Sequence, residues 1–153
     1  MPLAAQLARA HCACFEPGEQ GGTYGGNPLM CAVGVAVFDA ITAPGFMDQV
    51  RAVGDQFSAG LRALSAELGL GEVRGRGLLW ALELGSDCGP EVVRLAQQAG
   101  LLLNAPRSHC LRFMPALNTT PEQVQEGLSI LGQVLKRLSV TPPQPTAARA
   151  ARA

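Results

Sequence analysis

At 153 residues the chain is long enough for one domain with a hydrophobic core and too short for two of ordinary size. Apolar residues at 48% and charged ones at 16% exclude a highly charged, disordered chain. Twelve basic residues balance twelve acidic ones, so no net field favours a nucleic acid or an anionic membrane, and neither is expected as a partner.

Glycine and proline punctuate the rest. Residues 1–26 begin with a short apolar stretch, Pro2 to Leu7, and end in the glycine-rich loop Gly18 to Gly26. Arg9 and His11 interrupt the start, so no secretory signal is expected and the chain reads as cytoplasmic. Asn27-Pro28 has the form of a helix start, with asparagine as N-cap and proline at the first helical position. The helix it opens, to about Ile41, is apolar nearly all round and is expected to be buried. Its apolar run, Leu29 to Phe38, is about half of the roughly 20 residues a bilayer span needs.

Pro44-Gly45 breaks the chain. Phe46, Val50, Val53, Phe57, Leu61, Leu64 and Leu68 then recur at steps of three and four, which predicts a long amphipathic helix ending at Gly69. Arg74-Gly75-Arg76-Gly77 reads as a turn. Leu78, Trp80, Leu82 and Leu84 alternate, so one strand is expected within 74–84 with Trp80 in the core. Residues 90–99 predict a short helix, and 101–104 and 110–114 two short strands. Thr120-Pro121-Glu122-Gln123 combines a capping box with proline at the first helical position, opening a helix to about Leu138. From 141 onward prolines, alanines and arginines show no period, and 140–153 is expected to be a disordered tail. Helices interleaved with short strands make an α+β domain over 27–139.

Five cysteines stand at 12, 14, 31, 88 and 110. Cys12 and Cys14 are spaced C-x-C rather than as a zinc or redox pair, so reduced, partly buried thiols are expected and no metal site. His11 and His109 have no sequence neighbours that suggest a catalytic triad.

Two places can carry chemistry. In Gly21-Gly22-Thr23-Tyr24-Gly25-Gly26-Asn27-Pro28, glycines admit a close ligand, a hydroxyl and free amides can meet phosphate oxygens, and a helix N-terminus follows. No lysine follows as in a Walker loop, and on composition alone a flexible surface turn is the preferred reading. The other place is Arg112 in Cys110-Leu111-Arg112-Phe113-Met114. Leu111 and Phe113 should point to one face and Arg112 to the other, with Cys110 and Met114. A guanidinium held there suits bidentate capture of a carboxylate; an edge-strand arginine reaching water is the other reading.

Taken together, Gly18 to Leu29, Val73-Arg74-Gly75-Arg76-Gly77-Leu78-Leu79, and Leu101 to Asn104 followed by Leu111 to Asn118 resemble the class III, pyridoxal-phosphate-dependent aminotransferases, most of all their acetylornithine and succinylornithine branch. The resemblance runs from residue 1 to about 138, in family order and spacing. It implies the small C-terminal domain of a fold-type-I aminotransferase, preceded over 1–26 by a remnant of the large cofactor-binding domain. It further implies amino acid and 2-oxo acid substrates, pyridoxal 5'-phosphate as cofactor, a homodimer, and N-acetylornithine transamination in arginine biosynthesis. By the same resemblance Thr23 matches the threonine that reaches the cofactor phosphate of the partner subunit. Gly22 stands where relatives often carry a substrate-contacting serine, and Arg112 matches the arginine that binds the substrate α-carboxylate. The family's Schiff-base lysine precedes Pro2 and has no counterpart here: the one lysine is Lys136, outside every matched motif. The expectation is a C-terminal fragment, catalytically incomplete alone, or else a non-catalytic module that pairs with an N-terminal half or an intact subunit.

Overall fold

The computed structural model describes residues 4–5, 7–19 and 21–138; the segment expected to be a disordered tail lies outside them. The chain forms two compact units, the first ending at Met47 and the second starting at Asp48.

In the first unit a 3-10 turn, Ala10–Cys12, leads to the glycine loop and then to helix α1, Pro28–Thr42. Asn27 caps α1 as its sequence predicts: Oδ1 accepts from the amides of Leu29 at 3.1 Å and Met30 at 3.3 Å. Pro28 sits where an amide donor would have no helical partner. The expected burial of α1 is not observed, and none of its residues is buried. An apolar helix needs a second apolar layer to cover it. The other regular element described in this unit is the three-residue turn, which buries nothing. Leu29, Val35, Val37 and Phe38 all stay more than half exposed.

The second unit contains α2 (Phe46–Leu68), α3 (Gly89–Gln98) and α4 (Pro121–Leu138) with strands β1 (Val73–Arg76), β2 (Leu79–Glu83), β3 (Asn104–Arg107) and β4 (Cys110–Phe113). The four strands make one antiparallel sheet in the order β1-β2-β4-β3. Val53 and Leu61 of α2, Leu82 and Leu111 of the sheet, and Leu131 and Leu135 of α4 are almost fully buried and define its core. Truncating any one of them to alanine removes several methylenes from a close-packed interior.

The strands depart from the sequence reading in two places. The single strand expected within 74–84 is a hairpin, and the stretch 74–77 read as a turn is mostly β1, with the reversal displaced to Gly77-Leu78. Gly77 takes φ 58°, which glycine adopts at little cost, and its carbonyl accepts the Trp80 indole N–H at 2.6 Å. The alternation of Leu78, Trp80, Leu82 and Leu84 does bury all four. The strand expected at 101–104 begins only at Asn104. Leu101 to Leu103 lead into β3, which holds Pro106 at the sheet edge, where the missing amide hydrogen is tolerated.

Close approach of α2 to this hairpin depends on one glycine. A Cβ on Gly54 would lie 2.7 Å from the Gly77 carbonyl oxygen, a backbone atom that cannot rotate away. Gly54→Ala gains about 1 kcal/mol of helix propensity, but overpacking typically costs about 1–3 kcal/mol. We expect net destabilisation and a lower urea midpoint. An unchanged or raised midpoint would mean the hairpin shifts freely on α2.

Candidate functional site

Arg112 is positioned by what lies behind it. Phe113 is buried and meets Phe57 of α2 edge to face, with ring centroids 5.5 Å apart, and Leu111 is fully buried. Alternation along β4 then puts Arg112 on the outer face of the sheet, where it is exposed. In register, Arg74, Ala81, Arg112 and Asn104 form one row across the four strands. Arg74 is committed within that row: Nη2 lies 2.5 Å from Glu83 Oε1, and that bond, against some desolvation, raises the guanidinium pKa above its ordinary value. Among the described residues Arg112 has no such carboxylate. The small Ala81 side chain separates the two guanidinium groups.

Cys110 was expected on the Arg112 face and is there, yet it is buried, with Arg74 Nη2 3.9 Å from its sulfur. Burial first, and Glu83 second, push its thiol pKa up, so it is a poor nucleophile. Cys88 is half-buried, as expected of these thiols, whereas Cys12, Cys14 and Cys31 correct the expectation and are exposed.

Beside Arg112 a cleft of about 280 Å³ opens between β4, the Leu101–Asn104 segment and α4. Its walls include Phe57, Leu102 and Met114, and its polar groups are Asn104, Arg112, Thr119 and Gln123. Gln123 is partly used by the predicted capping box, donating its amide to Thr120 Oγ1 at 3.3 Å and accepting the Thr120 amide on Oε1 at 3.0 Å. A guanidinium at the mouth of a mostly apolar cleft can orient a small carboxylate ligand bidentately.

Gly22 and Thr23 belong to the first unit. They start a tight turn in which the Gly25 amide donates to the Gly22 carbonyl at 3.1 Å, and both are exposed. Because Asn27 already takes the first amides of α1, a phosphate here would rely on the Thr23 hydroxyl and loop amides. That donor set suits a phosphate oxygen but supplies no amine. Lys136 is on α4 with Nζ 2.6 Å from Glu67 Oε1, in the other unit. The residues present therefore fit the phosphate of a pyridoxal cofactor and do not fit its covalent attachment.

His109 gains neighbours that its sequence surroundings did not suggest. Its ring nitrogens lie 3.8 Å from carboxylate oxygens of Glu83 and Asp87. The Ser108 hydroxyl donates to Asp87 rather than to the imidazole, so no nucleophile–base pair forms. Backbone bonds from the Leu84 amide to the His109 carbonyl at 2.8 Å and from the Gly89 amide to the Ser108 carbonyl at 2.6 Å tie the β2–α3 connection to the β3–β4 turn and bring Asp87 to His109, and no linear spacing announces it.

Comparison with known proteins gives a consistent result. The profile of the family described as aminotransferase class III matches residues 1–135. Over 138 residues the chain is 55% identical to acetylornithine aminotransferase 2 of Bordetella parapertussis, covering 88% of this chain and 35% of that protein. It is 48% identical over 139 residues to acetylornithine aminotransferase of Ralstonia nicotianae, with 89% and 35% covered. The crystal structure of acetylornithine aminotransferase from Elizabethkingia anophelis superposes with a TM-score of 0.72 at 27% identity, over 80% of this chain and 32% of that one. The chain thus spans about a third of the length of the relatives it matches.

Proposed function

The chain belongs to the class III aminotransferase family, and from that premise we propose that it supplies the carboxylate-anchoring part of an enzyme that moves the terminal amino group of N-acetylornithine to 2-oxoglutarate. The observation that carries this reading is Arg112, exposed beside an apolar cleft and without a carboxylate partner among the described residues. In it, Arg112 takes the α-carboxylate of 2-oxoglutarate, which adjoins the carbon that receives the amino group. Thr23 takes a phosphate oxygen of pyridoxal phosphate bound by a partner subunit in a cytoplasmic homodimer, and Gly22 leaves room for substrate where a side chain would contact it. When bound, the cofactor supplies the electron sink for transamination. No step through it is assigned to this chain, which offers no amine for attachment.

The test is a chimera in which residues 1–138 replace the matching third of the Bordetella enzyme. It should bind pyridoxal phosphate and turn over N-acetylornithine with 2-oxoglutarate. A folded chimera that binds the cofactor but is inert toward N-acetylornithine and active on another ω-amino acid would move the substrate assignment to that amine.

A second reading, a non-catalytic module that pairs with a separate polypeptide, is favoured by α1, whose apolar residues are uncovered. Co-expression with the N-terminal two-thirds of the Bordetella enzyme separates the two: a stable but inactive complex supports the module, and an active one supports the enzyme part.

A further inference from the structure

Asn104 is the cross-strand neighbour of Arg112: the two are directly opposed in the β3–β4 ladder, both are exposed, and both line the same cleft. Directly opposed residues in an antiparallel pair have Cβ atoms about 4.5–5.5 Å apart on one face. The pairing of β3 with β4 then slips before Arg107 meets Cys110, because three residue steps on β3 span two on β4. The extra residue falls at Ala105-Pro106, so Asn104 is held at the end of the ladder by a bulge, a device that re-aims a side chain beside a site. Among the described residues neither side chain has a hydrogen-bond partner.

We infer that Asn104 is a second anchor for the carboxylate that Arg112 receives, its amide N–H donating to one carboxylate oxygen while the guanidinium donates to the other or to both. The inference rests on the carboxylate reading of Arg112. The residue type fits the task. An amide adds a donor without changing the charge of the cleft, and its own carbonyl oxygen can accept from the guanidinium and hold its plane. An aspartate in the same place would satisfy Arg112 internally, as Glu83, diagonal to Arg74 on β2, does for Arg74. Their partners separate the two arginines: Arg74 is paired with a carboxylate and Arg112 opposes an amide.

The experiment is a titration of the full 153-residue chain with 2-oxoglutarate, observed by NMR at the Arg112 Nε–H and the Asn104 side-chain amide, with the neutral dimethyl ester as control. Both resonances should move along one binding curve and stay still with the ester. Asn104→Ala should weaken binding by about 3- to 10-fold, as expected for one ordinary hydrogen bond at an exposed site. Asn104→Asp should abolish it, while the backbone amide spectrum of each variant reports an intact fold. If Arg112 moves on titration while the Asn104 amide stays fixed and Asn104→Ala binds as tightly as the parent, the inference is overturned and the role of Arg112 stands. If the Arg112 resonance does not move in the parent chain, both are overturned.

Discussion

Arg112→Lys in the chimera is expected to lower kcat/KM for 2-oxoglutarate about 30- to 700-fold. Lysine keeps the charge but loses the planar fork that meets both carboxylate oxygens, so the change is not conservative. Breaking one partner of a buried, hydrogen-bonded charge pair costs about 2–5 kcal/mol; we take about 2–4 because the substituted amine retains one charged contact. The α-carboxylate of 2-oxoglutarate adjoins its reacting carbon, whereas that of N-acetylornithine lies four bonds from the carbon that bears the transferred amine, so the loss should fall on the 2-oxoglutarate half-reaction. Cofactor affinity should not change, since the phosphate contact is assigned to Thr23, which lies in the first unit. Steady-state kinetics with each substrate varied, beside a cofactor titration, checks this. Near-parental kcat/KM for 2-oxoglutarate would leave Arg112 as an exposed arginine on a central strand that reaches water.

The unmodified chain should show no transamination and no covalent cofactor adduct. Lysine occurs once in 153 residues, at Lys136. It lies in the last turn of α4, more than half exposed and paired with Glu67 at 2.6 Å. An amine that must attack an aldehyde has to stand beside the cofactor in a shielded site, whereas Lys136 lies on an exposed helix end and is engaged by Glu67. Incubation with pyridoxal phosphate, borohydride reduction and peptide mapping should therefore find no stoichiometric pyridoxyl group at Lys136. Such an adduct, together with turnover of N-acetylornithine, would contradict the assignment.

The helices were legible because their signals are local. Asn27 and Thr120 announce α1 and α4 through caps whose partners lie within three residues, and the steps from Val50 to Leu61 fix the buried apolar stripe of α2. Burial of α1 was not legible, since an apolar sequence states that a helix wants cover and not whether cover is present. The sheet was read less well for a related reason. Alternation finds the faces of Leu78 to Leu84, but two glycines let the chain reverse at Gly77, and only the β1–β2 pairing reveals the hairpin. Pro106 in β3 argues locally against a strand, and the edge position that permits it is a tertiary fact.

Much the same division runs through the site. The placement of Arg112 followed from Leu111 and Phe113, because period-two alternation needs no knowledge of partners. That Arg74 is tied to Glu83 while Arg112 opposes Asn104 could not be read from spacing, since the residues are 9 and 8 positions apart in sequence and meet only through strand pairing. The roles of Thr23 and Gly22 rest on family motifs, because an exposed glycine turn has no geometry that singles out one ligand.

A crystal structure of the chimera with 2-oxoglutarate bound tests the role of Arg112 without intermediaries. The α-carboxylate should make a two-pronged contact with the Arg112 guanidinium, at about 2.7–2.9 Å from nitrogen to oxygen. A bound 2-oxoglutarate whose carboxylates both lie beyond hydrogen-bond reach of Arg112 would contradict that role.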